Sequence, residues 1–491
     1  MKQNSTVPRL LILTFCTILI SCQEETKSKV NEIDLVKPNV IFINVDDLGW
    51  KDIGFMGDEF FETPNIDQLA SESMVFTRSY SAAANCAPSR ASLMTGLNTP
   101  RHGVYTVSPS ARGNKESRKL IPIKNTDSLL LKDVTMAELF KMAGYTTGVF
   151  GKWHLGINPV EQGFDVNKGG DLRGNPGLDG YFSPYNNLPH LEDGPEGENL
   201  TDRLTREGIQ FIKGNKDRPF FLYLPFYAVH TPLQAKQGLV LKYDNKFNSR
   251  KISPVYAAMV ETVDQNVGKI MKSLTDLGLE ENTILIFTSD NGGIRSISTQ
   301  DPLRAGKGSY YEGGIRVPCL IKWPGTTIAE KKIEEPITNL DFFPTFMEIL
   351  KVDLPDYKSD GNSLIPVLKG GAIGERPLFW HFPIYLEAYD SMLDDGRDPL
   401  FRTRPGSVVM LGDWKLHYYY EDQGMELYNL REDIGERNNL TATKPAKTSE
   451  LLNLLKDWVE ETGAPIPKVL NPDYVSERNY INHKKLNNDY Y

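Results

Sequence analysis

The sequence predicts an α/β protein with a large, mostly parallel central sheet flanked by helices and a smaller α+β unit at its C-terminal end. Three observations lead there. Short β-rich apolar runs alternate with segments whose apolar residues recur every three to four positions, the pattern of βαβ units. Four of these runs end in polar or charged residues. The composition is that of a globular chain: of 491 residues, 40% are hydrophobic, 24% charged and 10% aromatic. Those proportions exclude a disordered chain, a collagen-like repeat and a multi-span membrane protein.

In chain order, residues 1–22 place Lys2 and Arg9 before an apolar run at 10–20, followed by Ser21 and Cys22. This is the layout of an export signal, too short to remain as a spanning helix. Leu19-Ile20-Ser21-Cys22 is similar to the lipobox of bacterial lipoproteins, and Gln23-Glu24-Glu25 to the acidic tag of their surface-exposed kind. That resemblance makes Cys22 the lipid-modified residue and places the protein in the periplasm or at the cell surface, as an outer-membrane lipoprotein touching the membrane only through its anchor. Residues 23–37 read as a polar tether, and folding starts at Pro38.

The four runs are residues 39–45 (NVIFINV), 146–150 (TTGVF), 219–224 (PFFLYL) and 283–289 (TILIFTS). Tyr256, Met259, Val263, Val267, Ile270 and Leu274 trace one helix, and residues 134–143 another. Between 167 and 201 the density of Gly, Pro and Asn predicts a long surface loop, a common wall of a binding cleft. The large unit is expected to span 38–371. Residues 372–491, with Trp380, His381, Trp414, His417 and Tyr418 to Tyr420, form the smaller one.

With 55 Lys+Arg against 64 Asp+Glu the net charge is −9, which argues against nucleic acid as a partner, because such binding needs a basic face. An anionic substrate must be met by a local cluster of cations. Of four cysteines, Cys16 lies in the export signal and Cys22 is the expected anchor, leaving Cys86 and Cys319. No disulfide framework is expected, and Cys319, within Val-Pro-Cys-Leu-Ile, reads as a small core residue.

In doubly wound sheets, ligands bind beyond the carboxyl ends of the strands. Asp46 and Asp47 follow the first run, Lys152 and His154 the second, His230 the third, and Asp290 and Asn291 the fourth. Three carboxylates and an amide oxygen suit a hard cation, Ca²⁺ or Mg²⁺, better than Zn²⁺.

The most specific string is Cys86-Ala87-Pro88-Ser89-Arg90-Ala91-Ser92-Leu93-Met94-Thr95-Gly96, of the form C-x-P-S-R-x-x-x-x-T-G. With VDDLGW at 45–50, GKWHLG at 151–156, VHTP at 229–232, SDNGG at 289–293 and GKGSYYEGGIRVP at 306–318, the chain resembles the type I, formylglycine-dependent sulfatases of the alkaline-phosphatase superfamily. The resemblance runs from Pro38 into the C-terminal unit. It implies that a separate maturation enzyme oxidises Cys86 to formylglycine, whose hydrated aldehyde is the nucleophile. It implies further that Asp46, Asp47, Asp290 and Asn291, with an oxygen of residue 86, hold Ca²⁺. Arg90 would steady the diol, while Lys152, His230 and Lys307 would grip the sulfate. His230 or Lys307 would protonate the leaving oxygen, and His154 would take the proton whose loss expels sulfate.

The expected substrate is a sulfated polysaccharide or oligosaccharide, weighted towards a galactan or a galactosamine-containing glycan and a 4-sulfate. Arg101 and His102 are candidate sugar contacts beside the signature helix, as are His381, Arg402, Arg404 and His417 and the tyrosines 418–420 from the C-terminal unit. Two other readings stand beside this one: a phosphodiester or phosphonate hydrolase on the same fold, and a non-catalytic glycan-binding lipoprotein that keeps its Cys86 thiol.

Overall fold

A computed structural model of the chain describes residues 1, 37–177, 180–185, 187–246 and 252–476. The export signal, Cys22 and the tether lie outside the described residues. The strands, in chain order, are β1 (Asn39–Val45), β2 (Met74–Tyr80), β3 (Thr146–Phe150), β4 (Val166–Lys168), β5 (Phe220–Pro225), β6 (Thr283–Ser289), β7 (Arg316–Lys322), β8 (Lys332–Ile333) and β9 (Ile337–Thr338), then β10 (Leu378–Phe382), β11 (Leu386–Glu387), β12 (Phe401–Thr403), β13 (Gly406–Leu411), β14 (Trp414–Tyr419) and β15 (Met425–Asn429).

The first nine build one sheet in the order β4-β3-β5-β1-β6-β7-β2-β8, with β9 also on β2. It is the expected mostly parallel sheet; β7 alone runs against both its neighbours. Every residue of β1, β5 and β6 is buried, because helices cover both faces, and so these strands read as continuous apolar runs. Ile41, Ile43 and Val45 face a core shared with Val263, Val267 and Ile270 of the Pro254–Asp276 helix. Val40 and Phe42 face the opposite one, with Phe140 and Phe342.

All four runs are strands, the third displaced by one residue. The helix expected over 134–143 occupies Met136–Met142, where Thr135 and Glu138 close a capping box. The segment after β4 has little regular structure until the Leu200–Gly214 helix begins, as its turn-forming composition implies. Strand β2, which holds Thr77 and Arg78, carries no comparably clean sequence signal, whereas β7 falls on the apolar, strand-like run 317–321 despite Pro318.

Residues after 372 form a four-stranded antiparallel sheet, β10-β13-β14-β15, and a small β11-β12 pair. One face of the larger sheet packs Val409, Leu416 and Leu427 on Leu451, Leu455 and Trp458 of the Pro445–Thr462 helix. The other buries Trp380, Phe382 and Val408 against Tyr80, Ala84, Tyr310 and Tyr311. This sheet therefore braces the two segments that carry Cys86 and Lys307. Among the described residues, no helix is long and apolar enough to cross a membrane.

Candidate active site

The register of the sheet assembles the site. Val45 pairs with Ser289 across β1 and β6, so Asp46-Asp47 and Asp290-Asn291 leave the same rim side by side, and the Asp290 amide donates to the Val45 carbonyl at 3.1 Å. Beyond β3, the Lys152 amide donates to the Pro225 carbonyl at the end of β5, at 2.7 Å. The turn into Lys152 needs Gly151: its φ is +125° and a Cβ there would lie 2.1 Å from the Pro225 oxygen. Asp47 and His154 adopt left-handed backbone, with φ of 60° and 62°, strain of a kind that gathers at functional sites.

Cys86 opens the Cys86–Thr95 helix and is a buried free thiol. It brings its sulfur to within 4.8 Å of ligand oxygens of Asp46 and Asp47. Burial pushes the Cys86 thiol up, and Asp46 and Asp290 push the same way against Lys152 and Lys307; an unmodified Cys86 is thus a protonated, weak nucleophile. The helix N-terminus adds partial positive charge at this point. Four residues on, Arg90 donates through Nε to Asp290 Oδ2 at 2.8 Å, with Nη2 in ion-pair contact with the same oxygen at 2.8 Å, and donates through Nη1 to the Lys152 carbonyl at 2.8 Å. Ser89 donates to the Asp290 carbonyl, while Asn339 donates to Ser89 Oγ at 2.9 Å. Ser89 thereby ties the signature helix to the residue that follows β6, a role the spacing alone did not disclose.

Two lysines hold the carboxylates. Lys152 Nζ lies 2.6 Å from Asp46 Oδ2 and Lys307 Nζ 2.7 Å from Asp47 Oδ2. Burial pushes the Asp46 carboxyl well above the usual range, and neighbouring Asp290 and Asp47 push it further against Lys152 and Arg90. Asp47 is buried too, but Lys307 and Lys152 hold it well below that range. His230 donates Nδ1–H to the Thr231 carbonyl at 2.6 Å and turns Nε2 towards Asp47 Oδ2, 3.7 Å away. His154 is kept neutral by burial and by Lys152, Arg90 and Lys307. Its Nδ1 is buried without a partner, and Gly174 lies on its ring, where a Cβ would come within 2.6 Å of Cε1.

The donor set fits a hard divalent cation. Asp46 Oδ1 and Asn291 Oδ1 are buried oxygens without hydrogen-bond partners, beside the carboxylates of Asp47 and Asp290. Oxygen donors in this number match Ca²⁺ or Mg²⁺.

Several candidate sugar contacts are engaged with other partners in the structure. Arg101 and His102 follow the C-terminal end of the ten-residue Cys86–Thr95 helix, about 15 Å of helix from Cys86. Arg101 pairs with Asp360 at 2.8 Å. His102 is buried, accepts from the Val104 amide at Nδ1 and meets Ser92 Oγ at Nε2, both 3.1 Å, so it stabilises the loop. His381 is buried between Ser407 Oγ and the Pro465 carbonyl. His417 is buried on Glu436, which also pairs with buried Lys415. Arg404 is held by Asp398 and Glu421. Tyr419 is buried and Tyr420 bonds Ser407, as strand alternation and packing require. Arg402 alone among these approaches the site: Nη1 donates to the Lys307 carbonyl at 3.0 Å.

His102 yields a pH prediction. Burial lowers its pKa from 6.5 to about 3, so the fold holds the neutral form while the unfolded chain takes up a proton below pH 6.5. Its contribution is complete above that pH and is lost as pH falls towards 3. Denaturant titrations at pH 7 and 5 should show His102→Gln sparing about 2 kcal/mol of the loss of stability between the two; an unchanged loss would contradict the assignment.

A buried thiol at a helix start, paired carboxylates and convergent cations on the rim of this sheet define an alkaline-phosphatase-like hydrolase. The family model "Sulfatase" matches residues 38–352, and the chain belongs to the sulfatase family; it is a sulfuric ester hydrolase. The model "N-sulphoglucosamine sulphohydrolase, C-terminal" matches residues 306–463. A sulfatase of Formosa agariphila is 34% identical over 90% of this chain and 91% of its own. The N-acetylgalactosamine-6-sulfatase of Rattus norvegicus is 33% identical over 75% of this chain and 74% of its own. Among solved structures, Ps i-CgsB in complex with k-i-k-neocarrahexaose superposes with a TM-score of 0.72 at 29% identity, covering 91% of this chain and 97% of that one.

Proposed function

We propose that this protein hydrolyses a sulfate ester on a sulfated carbohydrate, with formylglycine at position 86 and a divalent cation held by Asp46, Asp47, Asp290, Asn291 and residue 86. The observation that carries it is the buried juxtaposition of Cys86 with Asp46 and Asp47, ringed by Arg90, Lys152 and Lys307. The cation, when bound, supplies a Lewis acid and a template for the sulfate oxygens. The hydrated aldehyde supplies an activated oxygen nucleophile and a second hydroxyl whose deprotonation releases sulfate.

The chain's own groups do the rest. Lys152 and Lys307, with Arg90 behind them, neutralise the equatorial oxygens of an anion that an acidic protein could not otherwise hold. Of the two candidates for protonating the leaving oxygen, Lys307 has its protons on the group facing Asp47, whereas neutral His230 spends its proton on the Thr231 carbonyl. We assign the acid to Lys307, whose ammonium keeps protons beyond the one it gives Asp47, and a polar contact with the ester to His230. His154, neutral with Nδ1 unpartnered, takes the proton from the diol. Export and lipid attachment at Cys22 belong to the same proposal, and they fit a substrate that is an extracellular polymer.

An N-acetylgalactosamine-6-sulfatase and Ps i-CgsB, solved in complex with k-i-k-neocarrahexaose, are among the similar proteins and support a galactan or galactosamine-containing glycan. The deciding experiment takes Ca²⁺-loaded protein whose peptide mass shows an aldehyde at position 86. It measures sulfate release from carrageenan, chondroitin, heparan, fucan and ulvan polymers and their oligosaccharides, beside phosphate mono- and diesters. Release from a galactan or chondroitin substrate is expected; turnover of phosphate esters alone would overturn the proposal.

A further inference from the structure

The rim beside Lys307 carries an aromatic side chain that the catalytic groups do not use. Tyr389 stands at the start of the loop between β11 and β12, with 49% of its surface exposed. Its ring is stacked on the Arg402 guanidinium, whose central carbon lies 3.4 Å from the ring centroid. Arg402 is buried and fixed: it donates to the Glu387 carbonyl at 2.9 Å and the Lys307 carbonyl at 3.0 Å. It also lies against Gly308, where a Cβ would come within 2.7 Å of Nη1. The backbone of Tyr389 is held by the buried Asp394 carboxylate, 2.6 Å from its amide, and the Ala388 amide closes the loop base on the Leu400 carbonyl.

One face of the phenol ring is thus covered by a cation tied to the backbone of Lys307, while the remaining surface opens to solvent. Tyr389 also lies close enough to the Lys307 ammonium to act on it electrostatically, so a sulfate gripped by Lys307 would set the ring that bears it, one ester bond away, near this edge of the site. The apolar C–H face of a pyranose matches an exposed aromatic ring, and a guanidinium behind that ring favours a sugar carrying negative charge. Neither the motifs nor the strand ends point to this position, because it is reached only through Arg402.

We propose that Tyr389 is the platform on which the sulfated sugar ring stacks, held in place by Arg402; this rests on the carbohydrate sulfatase reading above. The test compares wild type, Tyr389→Ala and Tyr389→Trp on sulfated N-acetylgalactosamine and carrageenan oligosaccharides, with inorganic sulfate as competitive inhibitor. Tyr389→Ala should raise KM for the oligosaccharides about tenfold and leave Ki for inorganic sulfate unchanged, since inorganic sulfate has no ring to stack. Tyr389→Trp should stay near wild type. Unchanged KM in Tyr389→Ala overturns the platform. A parallel rise in KM and Ki also overturns it, because Tyr389 would then act only by supporting Arg402 and Lys307. A wild-type protein that releases no sulfate from any sugar overturns the carbohydrate reading itself, whatever the variants do.

Discussion

Cys86→Ala should lower sulfate release by about 10⁴-fold or more, as removal of a covalent nucleophile does, while the protein stays folded. The side chain is small, and its loss strands no charge: Arg90 keeps Asp290, and Lys152 and Lys307 keep Asp46 and Asp47. The measurement is initial-rate sulfate release beside a thermal melt. An active Cys86→Ala protein would remove position 86 from the chemistry. A folded, inactive variant, together with an aldehyde at position 86 in the wild type, would establish its role.

The second large effect is that of metal removal. Chelation should abolish sulfate release, and Ca²⁺ or Mg²⁺ should restore it. Metal should also raise Tm, because a cation that binds only the folded state stabilises it by about 2.7 kcal/mol at one hundred times its Kd. The physical source is the cluster itself, where Asp46 is pushed towards protonation by burial and by Asp290 and Asp47. The cleanest ligand variant is Asn291→Ala. Removing an aspartate would leave Arg90, Lys152 or Lys307 buried beside a lost partner, whereas Asn291 donates only to Asp47 Oδ1 and the Gly292 carbonyl. Asn291→Ala should weaken metal affinity at least about tenfold, read by calorimetry or by the metal dependence of Tm. A melt and an activity indifferent to chelation and to added metal would sink the assignment.

What could be read in the sequence follows from how local each signal is. Continuous apolar runs in β1, β3, β5 and β6 record strands covered on both faces, and residues at their carboxyl ends converge because parallel strands share one rim. Asp46, Asp47, Lys152, His154, His230, Asp290 and Asn291 were legible for that reason. Cys86 and Arg90 were legible because the signature helix packs its fixed residue types at fixed spacing.

Tertiary structure alone decided the rest. Nothing along the chain separates Arg402, which reaches the Lys307 carbonyl, from Arg404, which is spent on Asp398 and Glu421, since Arg402 lies in β12 and Arg404 just beyond its end, where the chain meets different partners. His102 follows the signature by a few residues, yet the helix carries it away from Cys86 and buries it. Tyr389 stands in an unpatterned loop and acquires a place beside the site only when β12 brings Arg402 beneath it. Sequence by itself determined the central parallel strands and the rim they share, because these depend on period and spacing, and the residue types expected at the site followed from the resemblance that the signature motifs carry. Which outlying side chains face the substrate was decided by packing between segments distant in the chain, where burial and charge pairing assign each residue its partner.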